Sequence, residues 1–198
     1  MRFSWLDNCE TADSLADFFV RNVSPSYISH GEILTGRAID DKTWSPDLHE
    51  ILHKEITRCA ESFRKGENSR VATAVNAGKL SALAIVELVH GIRTLCAWID
   101  DLVVARDVRG MGVGGEFLQW IEDELGREGV RHVFLESGIT NTSAHVFFER
   151  KGYSVCSQVM RKALRTTSKV GRELLEESPS PKPHPPHLSL AERASKVS

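Results

Sequence analysis

The stretch DLVVARDVRGMGVGGEFLQWIEDELG, residues 101–126, constrains the fold more than any other part of the chain. An apolar, β-branched run feeds a turn dense in glycine. The turn opens a segment in which Phe117, Leu118, Ile121 and Leu125 recur at helical spacing. Strand, glycine turn and helix in that order bring unpaired backbone N–H groups and the positive end of the helix dipole to one point, a natural seat for a pyrophosphate.

Upstream, residues 2–6 read as a short edge strand. A helix is expected from Thr11, where Leu15, Phe18, Phe19 and Val23 share a face, and Pro25 closes it. Residues 24–43 carry Gly31 and Gly36 and little periodicity, the pattern of a long functional loop. Ser45-Pro46 starts a second helix with Leu48, Leu52, Ile56, Cys59 and Phe63 on one face, ended by Gly66. The period then becomes extended: residues 71–75, 80–89 and 94–104 form an antiparallel meander broken at Asn76-Ala77-Gly78 and His90-Gly91. After the glycine turn and its helix come a strand at 132–136, a helix capped by Asn141 or Thr142 and ended by Gly152, and a last strand over 153–164. The class is α/β, with a mixed, mostly antiparallel sheet flanked by helices.

A length of 198 residues suits one medium domain, assigned here to residues 1–165. Residues 166–198, with PSPKPHPPH and few core formers, read as a Pro-rich, mobile arm. The net charge of -2 offers no excess of cations for a nucleic-acid backbone or a membrane surface. Cys9, Cys59, Cys96 and Cys156 form no CxxC pair and are expected to be reduced, mostly buried thiols. No basic leader or long apolar run is evident, so cytoplasmic residence is the expectation.

Two other phosphate motifs fit poorly. Gly110, Gly112 and Gly115 satisfy GxGxxG, with Glu136 where a ribose-binding acid would fall, but Ala105–Arg109 separate the strand from its first glycine. No GK[ST] follows, which removes the nucleoside-triphosphate P-loop. His49-Glu50-Ile51-Leu52-His53 is HExxH on an expected helix, the zincin arrangement. The metzincin continuation would need Gly at Ile56 and His at Cys59, so no metal site is assigned.

A different motif covers more of the chain. Arg109-Gly110-Met111-Gly112-Val113-Gly114 resembles the (R/Q)xxGx(G/A) loop of the GNAT superfamily of N-acetyltransferases. Asn141 to Tyr153, with Ala144, Phe147, Phe148 and Gly152, resembles that family's NxxAxxFYxxxGF segment. The resemblance implies a single GNAT-like domain whose sheet splays after its fourth strand, and transfer of acetyl from acetyl-coenzyme A to a primary amine. It implies cofactor contacts from Leu102, Val103 and Val104, from Arg109 to Gly115, and from Asn141, Ala144 and Phe148. The family's thiolate-protonating Tyr corresponds to Phe148, which has no proton to give; Cys156, Tyr153 and His145 are alternative donors.

The amine must lose a proton before it attacks, because an alkylammonium with a pKa near 10.4 has no free lone pair at neutral pH. Asp100 and Asp101 lie on the strand where similar enzymes carry an acidic base. Alternation sends only one of them to the acceptor side, and Asp100 is favoured. By the same resemblance residues 24–43 border the acceptor, and Tyr27, His30 and Glu32, with Asp40 and Asp41, suit a cationic amine, small molecule or protein. A noncatalytic coenzyme A-binding module is the competing reading, and a homo-oligomer is left open.

Overall fold

The computed structural model describes residues 1–91 and 93–162. Strands β1 (Arg2–Trp5), β2 (Ser69–Asn76), β3 (Lys79–His90), β4 (Leu95–Val104) and β5 (His132–Leu135) form one sheet in the order β1-β2-β3-β4-β5. The first four pair antiparallel and β5 joins β4 in parallel, which gives the expected mixed, mostly antiparallel sheet. The helices are α1 (Ala12–Asn22), α2 (His30–Leu34), α3 (Leu48–Arg64), α4 (Val113–Arg127) and α5 (Thr142–Arg150).

Two cores sandwich the sheet. Leu15, Phe19, Leu52 and Ile56 of α1 and α3 meet Val71, Leu83, Ile85 and Val103 on one face. Phe117, Leu118, Ile121 and Leu125 of α4 cover Ala84, Val86, Ala97 and Ile99 on the other. Each buried Val, Leu, Ile or Phe among them contributes about 1.5–3 kcal/mol by leaving water. The alternating Leu and Ala/Val pattern of β3 encodes this division: one parity seats two helices, the other lets a single helix approach closely.

β4 breaks the alternation. Ile85 stands opposite Asp101 but Val86 opposite Ile99, so Asp100 is an extra residue with no partner, a β-bulge. Its effect is visible in the cores: Ala97 and Ile99 face α4, whereas Asp101 and Val103 face α1 and α3. The β4–β5 ladder stops at Ile99↔Leu135, so beyond the bulge β4 presents an open edge and the sheet splays there as expected.

Three expectations change. The segment 24–43 is not wholly irregular: a 3₁₀ turn (Pro25–Tyr27) and α2 lie within it, and α2 begins with a reciprocal capping box between Ser29 and Glu32. Residues 153–162 form no strand. Val155, Val159 and Met160 are exposed, and an apolar run without a ladder partner is not held as a strand. Residues 163–164 of that expected strand, and the proposed arm at 166–198, lie outside the described residues. Of the free cysteines only Cys59 is fully buried, where desolvation pushes its thiol up to about 12; Cys9 and Cys96 are half-buried and Cys156 is exposed.

Candidate active site

The glycine turn ends in backbone geometry that few residues but glycine adopt. Gly110 and Gly112 have φ of +77° and +86°, and Gly112 caps α4. The N–H groups of Val113 and Gly114 have no carbonyl one turn earlier to bond and point out of the helix start. A β-carbon on Gly114 would lie 3.2 Å from Val104, and one on Gly115 would lie 2.8 Å from Lys151 Nζ. An ammonium group thus sits against the positive end of a helix. An anion between them would be held by both, so the turn can take a pyrophosphate. Arg109 does not project from the loop: its guanidinium donates to the carbonyls of Val104 (3.0 Å) and Asn22 (2.5 Å) and fixes the turn on β4.

From this turn a cavity of about 1000 Å³ runs along the open edge of β4 to the bulge. Leu102, Val103, Val104, Arg109, Gly110, Gly112, Gly114, Gly115, Asn141, Ala144 and Phe148 all line it. Two members of the expected set do not present side chains to it: Met111 is exposed and Val113 packs in the α4 core, so these positions offer only backbone. Ala105 N–H bonds Ser81 on β3, so alternation turns Leu102 and Val104 toward the open edge. Leu102 N–H is already taken, at 3.2 Å, by the Tyr27 hydroxyl, and Val104 C=O by Arg109. The Val104 N–H and Leu102 C=O remain directed at the gap.

The bulge separates the two aspartates by environment. Asp100 lines the cavity. Its side chain is exposed to the open cleft, and desolvation by the concave wall around the carboxyl, then the nearby charges of Asp101, Glu55 and Glu87, raise its pKa above the usual range. Asp101 is fully buried and does not line the cavity. Arg37 donates to both its oxygens (2.9 and 3.2 Å) and Tyr27 to one (2.9 Å), while Glu55 holds the far side of Arg37. Burial raises the Asp101 pKa and Arg37 and Tyr27 oppose the rise; with a guanidinium against both oxygens and three hydrogen bonds in all, the pair is ionised, and Asp101 positions rather than reacts. Desolvation beside Asp101 likewise raises the Tyr27 phenol, which stays protonated. The cationic partner of Asp101 is Arg37.

The segment bearing Tyr27, His30 and Glu32 straps the other side. Tyr27 and Glu32 line the cavity, and Glu32 also accepts from Ser29 N–H (2.6 Å). His30 Nδ1 lies 2.5 Å from Oε1 of Glu136, which lines the cavity just past β5. The β5–α5 turn abuts the strap so closely that a β-carbon at Gly138 would come within 2.5 Å of the Ile28 carbonyl oxygen. Of the alternative proton donors, Tyr153 is engaged with Glu122 at 2.8 Å and its phenol is raised by burial, and Cys156 is exposed.

HEILH falls on α3 as expected. His49 pairs with Asp17 (3.3 Å) and Asp13 (3.7 Å), and Glu50 with Lys54 (2.5 Å). Among the described residues no three His, Cys, Asp or Glu side chains converge as a metal site, and no helix is long and apolar enough to cross a membrane. Sequence reading gave no place in this site to Arg37, Glu55 or Lys151, and named Glu136 only in the discarded dinucleotide motif, because their positions come from long-range contacts; Lys151, inside the Asn141–Tyr153 motif, had a local signal.

A sheet splayed at a bulge, with an anion-binding turn at one end of the cleft and a raised carboxyl at the other, is the architecture of an acyl-group transferase. The chain belongs to the acetyltransferase (GNAT) family, whose family model matches residues 36–153. It is similar to the aminoalkylphosphonate N-acetyltransferase of Salmonella typhimurium, with 35% identity over 66 residues, 33% of this chain and 43% of that protein. It is also similar to N-alpha-acetyltransferase 30 of Schizosaccharomyces pombe, with 27% identity over 88 residues, 44% of this chain and 59% of that protein. The chain therefore spans less than two thirds of either relative's length. In fold it matches a possible acetyltransferase from Clostridium difficile 630 (TM-score 0.59, 14% identity, 83% of this chain and 97% of that one). It likewise matches an aminoglycoside acetyltransferase from an uncultured soil metagenomic sample in complex with sisomicin (TM-score 0.56, 15% identity, 84% of this chain and 96% of that one).

Proposed function

We propose that the chain transfers an acetyl group from acetyl-coenzyme A to a primary amine. The observation that carries this reading is one continuous cavity joining the anion-binding turn at Gly112–Gly115 and Lys151 to the raised carboxyl of Asp100 along the open edge of β4. Acetyl-coenzyme A supplies the activated acyl carbon, and the chain does the rest. The α4 N-terminus and Lys151 hold phosphate, Leu102 C=O and Val104 N–H take amide groups of the extended arm, and Asp100 accepts the proton that the amine must lose. Tyr27, Glu32 and Glu136 give the acceptor side a negative and aromatic lining suited to a cation. On this reading residues 1–165 are the catalytic domain, residues 166–198 an appended arm, and the setting cytoplasmic.

The names of the relatives point to aminoalkylphosphonates and to α-amino groups, so these two classes and aminoglycosides are the first to assay for coenzyme A release. Turnover with at least one amine class is expected. Tight coenzyme A binding with no acceptor turned over would favour a second reading, a noncatalytic coenzyme A-binding module, for which Phe148 speaks. Failure to bind coenzyme A at all would remove both.

A further inference from the structure

We propose that the acceptor is a small diamine whose second ammonium rests on the paired rings of Trp98 and Phe134 beside the Glu87 carboxylate. This deepens the acetyl-transfer reading and rests on it. Trp98 and Phe134 are partners across the parallel β4–β5 ladder, and their rings stack with centroids 5.7 Å apart. Their strand neighbours Ala97, Ile99, Val133 and Leu135 all pack toward α4. Alternation therefore turns both rings to the opposite face of the sheet, where they join neither core and stay half-buried. They form an aromatic shelf next to the bulge.

Acids border the shelf. Glu87 stands directly opposite Trp98 on β3, and opposed side chains on one face lie about 5 Å apart at their β-carbons. Asp100, two residues beyond Trp98 and exposed to the cleft, lies within the field of both Glu87 and Glu55. The nearby cations are engaged elsewhere: Arg37 is closed between Asp101 and Glu55, and Arg58 turns to Glu55 at 4.0 Å. No salt bridge among the described residues engages Asp100 or Glu87. Ring faces and carboxylates both attract an ammonium, so the shelf is complementary to a cation. In this row the main chain of β4 is paired with β3 on one side and β5 on the other, so the face offers a peptide no backbone partners to align it. Trp98 and Asp100 are separated by about 7 Å of strand, a span that an alkyl chain of about four or five carbons bridges. One nitrogen then lies at Asp100 to give up its proton, and the other stays charged on the shelf and takes no part in bond making.

Calorimetry on the full chain saturated with coenzyme A compares the five-carbon diamine cadaverine with pentylamine, which has the same chain and one charge fewer. Cadaverine should bind at least about tenfold more tightly. Glu87→Gln and Trp98→Leu should each bring the two amines to within about threefold of one another while coenzyme A affinity is kept. Glu87→Gln alters only a half-buried carboxyl, so it decides the matter even where loss of the indole unfolds the chain. Equal affinity of wild type for the two amines, binding of neither, or a preference that survives Glu87→Gln overturns the proposal. Tighter binding of tri-lysine than of cadaverine overturns the small acceptor in favour of a basic peptide. In each of those cases coenzyme A binding with turnover of another amine leaves the acetyl-transfer reading standing, whereas absence of coenzyme A binding by wild type removes that reading itself.

Discussion

The Tyr27 phenol donates to Asp101 Oδ1 at 2.9 Å and at the same time accepts the Leu102 N–H at 3.2 Å. One oxygen therefore joins the strap, the buried ion pair and the open strand. Tyr27→Phe keeps the ring against Phe19 and Trp44 but leaves a buried carboxylate one donor short and a backbone N–H without its acceptor. The loss of stability should be about 1–3 kcal/mol, read from the denaturant midpoint. Arg37→Ala, which strips Asp101 of its cation, should cost about 3–5 kcal/mol. Wild-type stability in both would show that the network does not hold the strap.

The glycine turn makes a sharper distinction between folding and binding. Gly114→Val puts carbon into the 3.2 Å gap to Val104, where the phosphate-facing N–H groups begin. Calorimetry should find coenzyme A binding weakened at least tenfold with the helical circular dichroism retained, and Lys151→Ala should weaken it less. Retained affinity in Gly114→Val would move the phosphate site elsewhere.

Proton transfer sets the pH dependence. If Asp100 accepts the amine proton, as proposed, it must be ionised, and desolvation by the cleft wall with neighbouring acids raises its carboxyl above the ordinary range, so kcat/KM should climb as pH rises through that raised value. Asp100→Asn should remove this limb and lower kcat about 10²-fold. Stability runs the other way. The folded chain holds this proton more tightly than the unfolded chain, so the contribution is fully present below the unfolded carboxyl's pKa and is lost as pH passes the folded one. The Asn variant should lack that loss in pH-dependent unfolding.

The HEILH helix gives a metal prediction. His49 faces Asp17 and Asp13 on α1, and Glu50 is paired with Lys54, so dialysed protein should carry well under one zinc per chain by elemental analysis. One tightly held zinc per chain, lost in His49→Ala, would restore the zincin reading.

Legibility tracked the range of the physics involved. Helices α1, α3 and α4 and the meander were readable because apolar period is local, and the glycine turn was readable because the positive φ angles at Gly110 and Gly112 are a local property of the residue type. The Ser29–Glu32 capping box was equally local and was passed over. Alternation assigned opposite faces to Asp100 and Asp101, but the bulge that separates them is a property of the pairing with β3, not of β4's own composition. Arg37 lies 64 positions from Asp101 and Glu136 more than 100 from His30, and no spacing rule reaches so far. The described part of the strand expected at 153–164, residues 153–162, had the right residues but no ladder neighbour among the described residues.

The unpaired residue of β4 also means that losing Asp100 outright is a different event from replacing it. Deletion would restore an unbroken ladder in which Ile99 and Asp101 become neighbours on the opposite faces they already occupy, and every residue from Asp101 onward would keep its partner on β3. The Arg37–Asp101 pair and the open edge at Leu102 and Val104 would survive, while the local bend and extra twist of β4 would go together with the carboxyl. The additional residue serves the shape of the cleft at that point, not the register of the strand beyond it.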